Sequence, residues 1–338
     1  MPPPAPIPTL EDVARAAGVS TATVSRCLNT SEKVSETSRS KVMKAVEQLG
    51  YTPNFGARAM ASKRTKTIGA IIPTMDNAIF ARGLEAFQLK LRAFGYNLLV
   101  SSSAYQPDIE AEQIKAMAAR GAEGLLLIGH ERDQAIYDYL SKRSIPALIS
   151  WAHQSREGPI AIGFDNRAAM RDLALTVLSM GHRNLAVISG VTQGNDRASE
   201  RVHGILDAAK HHGLDADALP IIEAPYTLES GGDAFEKLMH HTPRPTVVMC
   251  GNDVLAAGAI DRARDINISV PDDVSITGFD DIELAHIVTP KLTTVRVPHQ
   301  IMGEKAAVAL VDLVEGKGTA FAERLITEIC LRDSLRAL

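Results

Sequence analysis

Residues 18–29 read GVSTATVSRCLN, a stretch of small hydroxyl-bearing residues whose one charged side chain is Arg26. Val24 and Leu28, one helical turn apart, give it only a narrow apolar stripe. A helix built on that stripe leaves Thr21, Ala22 and Arg26 on its other side, facing something other than a core. Upstream, Thr9 precedes Leu10, Val13, Ala14 and Ala17, which share one helical face, and Asp12 follows three residues later. That pattern predicts a capped helix that Gly18 ends in a left-handed conformation. Ser20 suits the cap of the second helix. Ser35 suits the cap of a third, where Val42, Val46 and Leu49 recur at helical spacing before Gly50. Two short helices joined by Gly-Val-Ser predict a helix-turn-helix.

Outward from this head the composition changes. Residues 1–66 hold ten basic and five acidic residues, a formal +5, which leaves −9 on the rest of a chain whose total is −4. A basic head on an acidic body suggests a polyanion-binding module joined to something that avoids polyanions. The opening MPPPAPIP has five prolines in eight residues, and residues 1–8 are expected to form a disordered tail. The head proper spans 9–53. Residues 54–66, within NFGARAMASKRTKT, are polar and basic at their end and read as a linker or marginal hinge helix, too short to be stable alone.

From Ile68 short apolar runs alternate with amphipathic stretches: IGAIIP, YNLLVS, EGLLLIG, PALIS, IAIGF, NLAVIS, TVVMC and VSITGF. Helical segments such as 80–94, 168–180, 201–212 and 254–265 lie between most of them. Runs that are apolar throughout predict buried parallel strands in doubly wound sheets. Eight of them are too many for one small sheet, so the reading is two similar α/β lobes within 67–338. Cys27, Cys250 and Cys330 lie far apart and form neither a CxxC pair nor a disulfide framework, which fits a reducing cytosol. No secretion signal opens the chain and no apolar run is long enough to span a bilayer, so a soluble cytoplasmic protein without membrane contact is expected.

Ligands of open α/β sheets bind beyond the carboxyl ends of the strands. Ile79 and Phe80 follow the first run, Trp151 follows PALIS, and Asp165 follows IAIGF. Arg197 and Arg201 lie in the segment after NLAVIS, Tyr226 follows LPIIEAP, Asn252 follows TVVMCG, and Asp280 follows VSITGF. The chain's only tryptophan thus joins several polar groups on one side of the expected sheets, the composition of a small-molecule cleft. The competing reading makes Trp151 a core residue and the Asn and Asp residues helix caps. No GxGxxG after a strand, GxxxxGK[ST] or GxSxG occurs, and EGKGT at 315–319 reads as a helix-ending turn. The pairs His211-His212 and His240-His241 suit helix C-termini rather than a metal site. Neither an enzyme nor a cofactor is therefore expected.

The segments TLEDVARAAGVSTATVSRCLN and VSETSRSKVMKAVEQLGYTPN resemble the DNA-binding head of lac-repressor-type (LacI/GalR) transcriptional regulators. IGAIIP, RPTVVMCGND, VPDDVSITGFDD and TPKLTTVRVP extend the resemblance nearly to the C-terminus. It implies an all-α helix-turn-helix head, a hinge helix and an α/β two-lobed core like a periplasmic binding protein, with two doubly wound parallel sheets. By similarity one lobe takes about 67–165 and 298–325, and the other about 166–297 and 326–338. Thr21, Ala22 and Arg26 fall where family members read base edges; an arginine bonds guanine O6 and N7, and Ala22 suits a thymine methyl. Ser20, Thr23, Ser25, Asn29 and Lys33 match phosphate-holding positions, and Asn54, Ala57 and Met60 lie in the hinge, with Met60 as minor-groove wedge. Ile79, Phe80, Trp151, Asp165, Arg197, Arg201, Tyr226, Asn252 and Asp280 form the implied effector pocket. The expectation is a homodimeric repressor on a near-palindromic operator, controlled by a sugar or sugar acid, with a nucleobase as the alternative. A solute-binding receptor lacks the need for a basic head, and an α/β enzyme with an added DNA-binding head lacks its nucleophile.

Overall fold

The computed structural model describes residues 7–29, 34–53, 56, 59, 62, 64–76, 78–153, 159–318 and 321–338. They fall into two compact units, 1–65 and 66–338. In the first, α1 (Leu10–Ala17), α2 (Thr21–Asn29) and α3 (Glu36–Leu49) surround a small core. Thr9 and Asp12 form a reciprocal capping box: the Asp12 N–H donates to Thr9 Oγ1 at 3.3 Å, and the Thr9 N–H donates to Asp12 Oδ2 at 3.0 Å. Gly18 and Gly50 end α1 and α3 with φ of 64° and 59°, a region where a Cβ is strained. Ser20 accepts from the Thr23 N–H and Ser35 from the Ser38 N–H, so both serines act as caps. Val13, Val24 and Val42, one from each helix, are fully buried at the centre with Ala14, Ala17, Cys27 and Ala45. Within 54–63, Gly56, Ala59 and Ser62 have helical backbone.

The second unit contains two parallel sheets. The first runs in the order β11-β5-β4-β3-β1-β2: Glu323–Arg324, Ala161–Gly163, Ala147–Ser150, Gly124–Ile128, Thr67–Ile72 and Asn97–Ser102. The other runs β7-β6-β8-β9: Ile221–Ala224, Leu185–Gly190, Val247–Cys250 and Ser275–Thr277. A small antiparallel pair, β10 (Thr294–Arg296) with β12 (Glu328–Cys330), lies between the crossovers. All eight apolar runs become strands, and β7, β10, β11 and β12 are added to them. The chain passes between the lobes after β5, after β10 and after β11. The last residues return to the second lobe, where Ser334 Oγ donates to the Ile276 carbonyl and the Leu338 N–H to that of Met180.

Both sheets are covered on both faces, which is why their strands read as unbroken apolar runs. One core runs through both lobes, and Phe164 and Phe279 stack at the junction with centroids 5.9 Å apart. Ile71, Leu125, Leu127 and Ile149 pack on the far face of the first sheet, while Val248, Cys250 and Ile276 pack on that of the second. The exception is β2, expected as a buried run: Leu99 and Val100 are exposed. As the edge of its sheet, β2 has a neighbour on one side only.

Helix 81–93 packs along helix 299–314 at a near-contact of backbones. A Cβ built on Gly303 overlaps the Gly83 carbonyl, and one on Gly83 meets the Trp151 ring. Gly303→Ala is therefore expected to lower core stability by roughly 1–3 kcal/mol through overpacking. Denaturant unfolding of the whole chain checks this, and an unchanged midpoint refutes the close packing.

Candidate functional site

In the head, α2 presents Thr21, Ala22 and Arg26 on its exposed side, with Thr23 and Ser25 half-buried beside them. Val24 and Cys27 turn inward and fix the helix. Ser20 is exposed, but its hydroxyl is also within 2.9 Å of Thr23 Oγ1, so the cap doubles as a polar corner at the helix start. Asn29 ends α2; its side chain, together with Lys33, Asn54, Ala57 and Met60, lies outside the described residues.

In the core, the ends of strands from both lobes converge. Phe80 and Trp151 from the first lobe pack edge to face at 5.3 Å, with Ile79 alongside. From the second lobe come Arg197, Arg201, Tyr226, Asn252 and Asp280. Eight of the nine residues expected from the sequence thus line one cavity. The exception is Asp165. Its carboxylate caps helix 166–179 by accepting from the Ala168 N–H at 2.9 Å, and it faces Arg324 at 3.6 Å. The first helical N–H groups need such an acceptor, and Asp165 supplies it.

The polar groups are mostly committed to one another. Arg201 donates to Asn166 Oδ1 (2.8 Å) and to the Gly251 carbonyl (2.7 Å), reaches Asp280 Oδ1 (3.5 Å), and lies 3.8 Å over the Phe279 ring. Asn252 Oδ1 caps helix 253–265 through the Leu255 N–H at 2.9 Å. Two atoms remain without a protein partner: Asn252 Nδ2 and Asp280 Oδ2, both on fully buried side chains lining the cavity. A buried polar group left unpaired costs about 1–3 kcal/mol, so this pair is a prepared hydrogen-bonding site for a small polar molecule. Burial pushes the Asp280 carboxyl up to about 6, against the opposing pull of Arg201 and Arg197.

Three contributors escaped sequence reasoning. Tyr105 follows β2 in a left-handed conformation (φ 57°) and meets Tyr226 across the cleft at 5.6 Å. Asn195 donates to the Tyr226 hydroxyl at 3.4 Å while its own oxygen caps helix 196–211. His299 accepts from Trp151 Nε1 at 3.2 Å, which leaves its Nε2–H to donate to the Asp280 carbonyl at 3.3 Å. Burial holds this imidazole neutral by depressing its pKa to about 4. Strand-end position signalled Asn195; nothing local marks His299, because its partners are 148 and 19 residues away in the chain.

Contacts across the cleft close it from two sides. Asp196 Oδ2 accepts from the His130 N–H at 2.5 Å, and Arg197 donates to the Ile128 carbonyl at 3.1 Å. Gly129 allows this approach, since a Cβ there overlaps the Arg197 guanidinium. On the other side Arg82 pairs with Glu283 and reaches the Asp281 carbonyl. Among the described residues no group of three His, Cys, Asp or Glu side chains is placed to hold a metal, and no helix is long and apolar enough to cross a membrane. The histidine pairs lie at helix C-termini, His211-His212 at the end of helix 196–211 and His240-His241 after helix 228–239.

Comparison with known proteins follows the same division. Residues 9–54 match the bacterial regulatory proteins of the lacI family, and residues 175–335 match the periplasmic binding protein-like domain. Catabolite control protein A of Priestia megaterium is 33% identical over 298 residues, which is 88% of this chain and 90% of that protein. The HTH-type transcriptional repressor CytR of Escherichia coli strain K12 is 31% identical over 334 residues, 98% of this chain and 97% of its own. A LacI-family transcriptional regulator from Silicibacter pomeroyi superimposes with a TM-score of 0.88 at 26% identity, covering 97% of this chain and 99% of that one. These relatives are transcriptional regulators, not enzymes.

Asp280 makes the core's stability depend on pH with a defined sign. Its folded pKa of about 6 lies above the ordinary carboxylate value of 3.8, so the native state holds the proton more tightly. The resulting stabilisation is full below about pH 4 and is lost as pH rises through about 6. Melting temperatures of the wild type and Asp280→Asn, compared from pH 4 to 7, should diverge in that window and run parallel above it. Parallel curves throughout would exclude the buried ionisation.

Proposed function

This chain belongs to the LacI family of bacterial transcriptional regulators, and from that premise we propose that it is a repressor whose operator affinity is set by a small molecule held between its two core lobes. The observation that carries this reading is the pair of buried, unpartnered atoms, Asn252 Nδ2 and Asp280 Oδ2, at the inner end of an interlobe cleft. An amide donor beside a carboxylate acceptor suits two neighbouring hydroxyls. Arg201 holds Asp280 in place, and Arg197 adds a guanidinium that pairs with a carboxylate. A sugar or sugar acid is therefore the favoured ligand. The nucleobase alternative needs an open aromatic face, whereas Trp151 is only 1% exposed and sits edge-on to Phe80.

On the DNA side, Thr21, Ala22 and Arg26 read base edges in the major groove, while Ser20, Thr23, Ser25, Asn29 and Lys33 set register on phosphates. Asn54, Ala57 and Met60 belong to the hinge, with Met60 as the minor-groove wedge. The protein acts in the cytoplasm as a homodimer on a near-palindromic operator, because one short recognition helix reads too few bases to specify a site. Control follows from linkage: a ligand that binds one closure of the lobes better than another shifts the closure equilibrium, and with it the spacing of the paired heads.

Two substitutions separate these roles. On a duplex selected by the wild type from a randomised pool, Arg26→Ala should cost about 1–3 kcal/mol and relax one base position. An unaltered binding profile would remove Arg26 as a reader. Asp280→Ala should retain operator binding in a mobility-shift assay yet lose the response to any sugar that shifts the wild type; a normal response would remove the cleft as the effector site.

A further inference from the structure

Helix 299–314 begins in the cleft and ends beside the residue from which the chain runs back to the head. Its sixteen residues span about 24 Å. At its start His299 accepts from Trp151 Nε1 and donates to the Asp280 carbonyl of the second lobe. The crossover that leads into the helix is tied to the same residue, since the Asp280 N–H donates to the Val295 carbonyl at 2.9 Å. Along its length the helix has little room to slide. Gly303 and Gly83 bring two backbones into near-contact, and a Cβ on Gly124 of β3 would overlap Val314 and touch Leu310. Met302, Ala306 and Leu310, one turn apart, are fully buried.

The other end is a polar clamp. Glu315 ends the helix, and its Oε1 accepts from Lys66 Nζ at 3.2 Å and from the Tyr96 hydroxyl at 3.3 Å. Lys66 Nζ also lies 4.3 Å over the Tyr96 ring. Lys317, in the turn that Gly316 and Gly318 make with φ of 66° and 67°, pairs with Glu315 Oε2 at 2.8 Å. Lys317 and Lys66 hold the Glu315 carboxyl down at about 2, so it stays ionised. Lys66 is the first residue of the core unit and lies in the left-handed region (φ 50°), which side chains disfavour. Its main chain is fastened as well: the N–H donates to Glu123 Oε1 at 3.0 Å, and the carbonyl accepts from the Asn97 N–H at 2.8 Å. Partly exposed ion pairs add little to folding stability, so what the clamp mainly fixes is the direction in which the chain leaves the core.

We propose that Glu315 is the positioning residue through which helix 299–314 passes the state of the cleft to the linker, by setting with Tyr96 where Lys66 directs the chain. A shift of the second lobe acts on the helix start through Asp280, His299 and the crossover. A helix locked between Gly83 and Gly124 moves as one body, and Glu315 and Lys66 move with it. The inference rests on the regulator reading and adds the element and the residue that couple its two sites. It requires no particular small molecule, because coupling is reciprocal and DNA serves equally well as the ligand that drives it.

The test uses the full chain and a duplex that the wild type selects from a randomised pool. Trp151, the only tryptophan, reports on the helix start through its emission. Saturating duplex should change the wild-type emission. Glu315→Gln and Lys66→Met should still bind the duplex but lose that response, while Lys66→Arg, which keeps the cation, should retain it. A cycle of His299→Gln and Glu315→Gln on duplex affinity supplies an independent measure. Substitutions more than roughly 10 Å apart ordinarily add, whereas here the double variant should depart from the product of the single effects by at least about two-fold. If Glu315→Gln does not fold, Lys66→Met, which leaves the helix intact, decides alone. An emission response absent from the wild type or surviving in both variants, or an additive cycle, would overturn the role of Glu315 and leave the repressor reading in place. If no duplex is selected, both fall together.

Discussion

A buried polar cluster around Arg201 and Asp280, at the junction of the lobes, is the constraint on which the arrangement of the cleft depends. Arg201 and Asp280 are both nearly inaccessible to water, so each must find its hydrogen-bonding partners within the protein, and the guanidinium offsets part of the cost of burying the carboxylate. The guanidinium satisfies its remaining needs with Asn166 and the Gly251 carbonyl and rests on the Phe279 ring. Asp280 is held by its main chain as well, in a left-handed conformation (φ 110°), with its N–H donating to the Val295 carbonyl. One acidic residue thereby fixes a strand end, a crossover segment and the polar end of the cleft together.

From Asp280 the network continues into the first lobe. Its carbonyl accepts from His299, which accepts from Trp151, so a neutral imidazole joins the cleft surfaces of the two lobes. The tryptophan is then pressed against Gly83, where the helices 81–93 and 299–314 meet. A ligand touching Asp280 or Phe80 thus acts on groups already coupled to the interlobe packing, the arrangement through which differential binding shifts a closure equilibrium. The head is built on other terms. Its core is small, and its side chains are arranged to leave polar and basic groups outward, in keeping with the +5 charge of residues 1–66.

Where sequence reading failed, it failed for lack of partners. YNLLVS has the composition of a buried strand, but its place at the sheet edge exposes Leu99 and Val100, and strand order is a property of the whole sheet. Asp165 shares its strand-end position with the residues that line the cavity, but its carboxylate caps the helix behind it and the residue does not line that cavity. Tyr105 and His299 carried no signal, since a tyrosine after an edge strand and a histidine after Pro298 are unremarkable until the opposite lobe is placed against them.

Local rules were enough for much of the rest. The caps at Thr9, Ser20 and Ser35, the glycine stops at Gly18 and Gly50, the exposed side of GVSTATVSRCLN and the eight apolar strands all depend on neighbours within a few residues. Tertiary structure alone decided which polar groups were consumed and which were left over. Arg201 is tied down while Asn252 Nδ2 and Asp280 Oδ2 are not. Those outcomes depend on hydrogen bonds and contacts between residues tens to more than a hundred positions apart, where sequence spacing carries no geometric information.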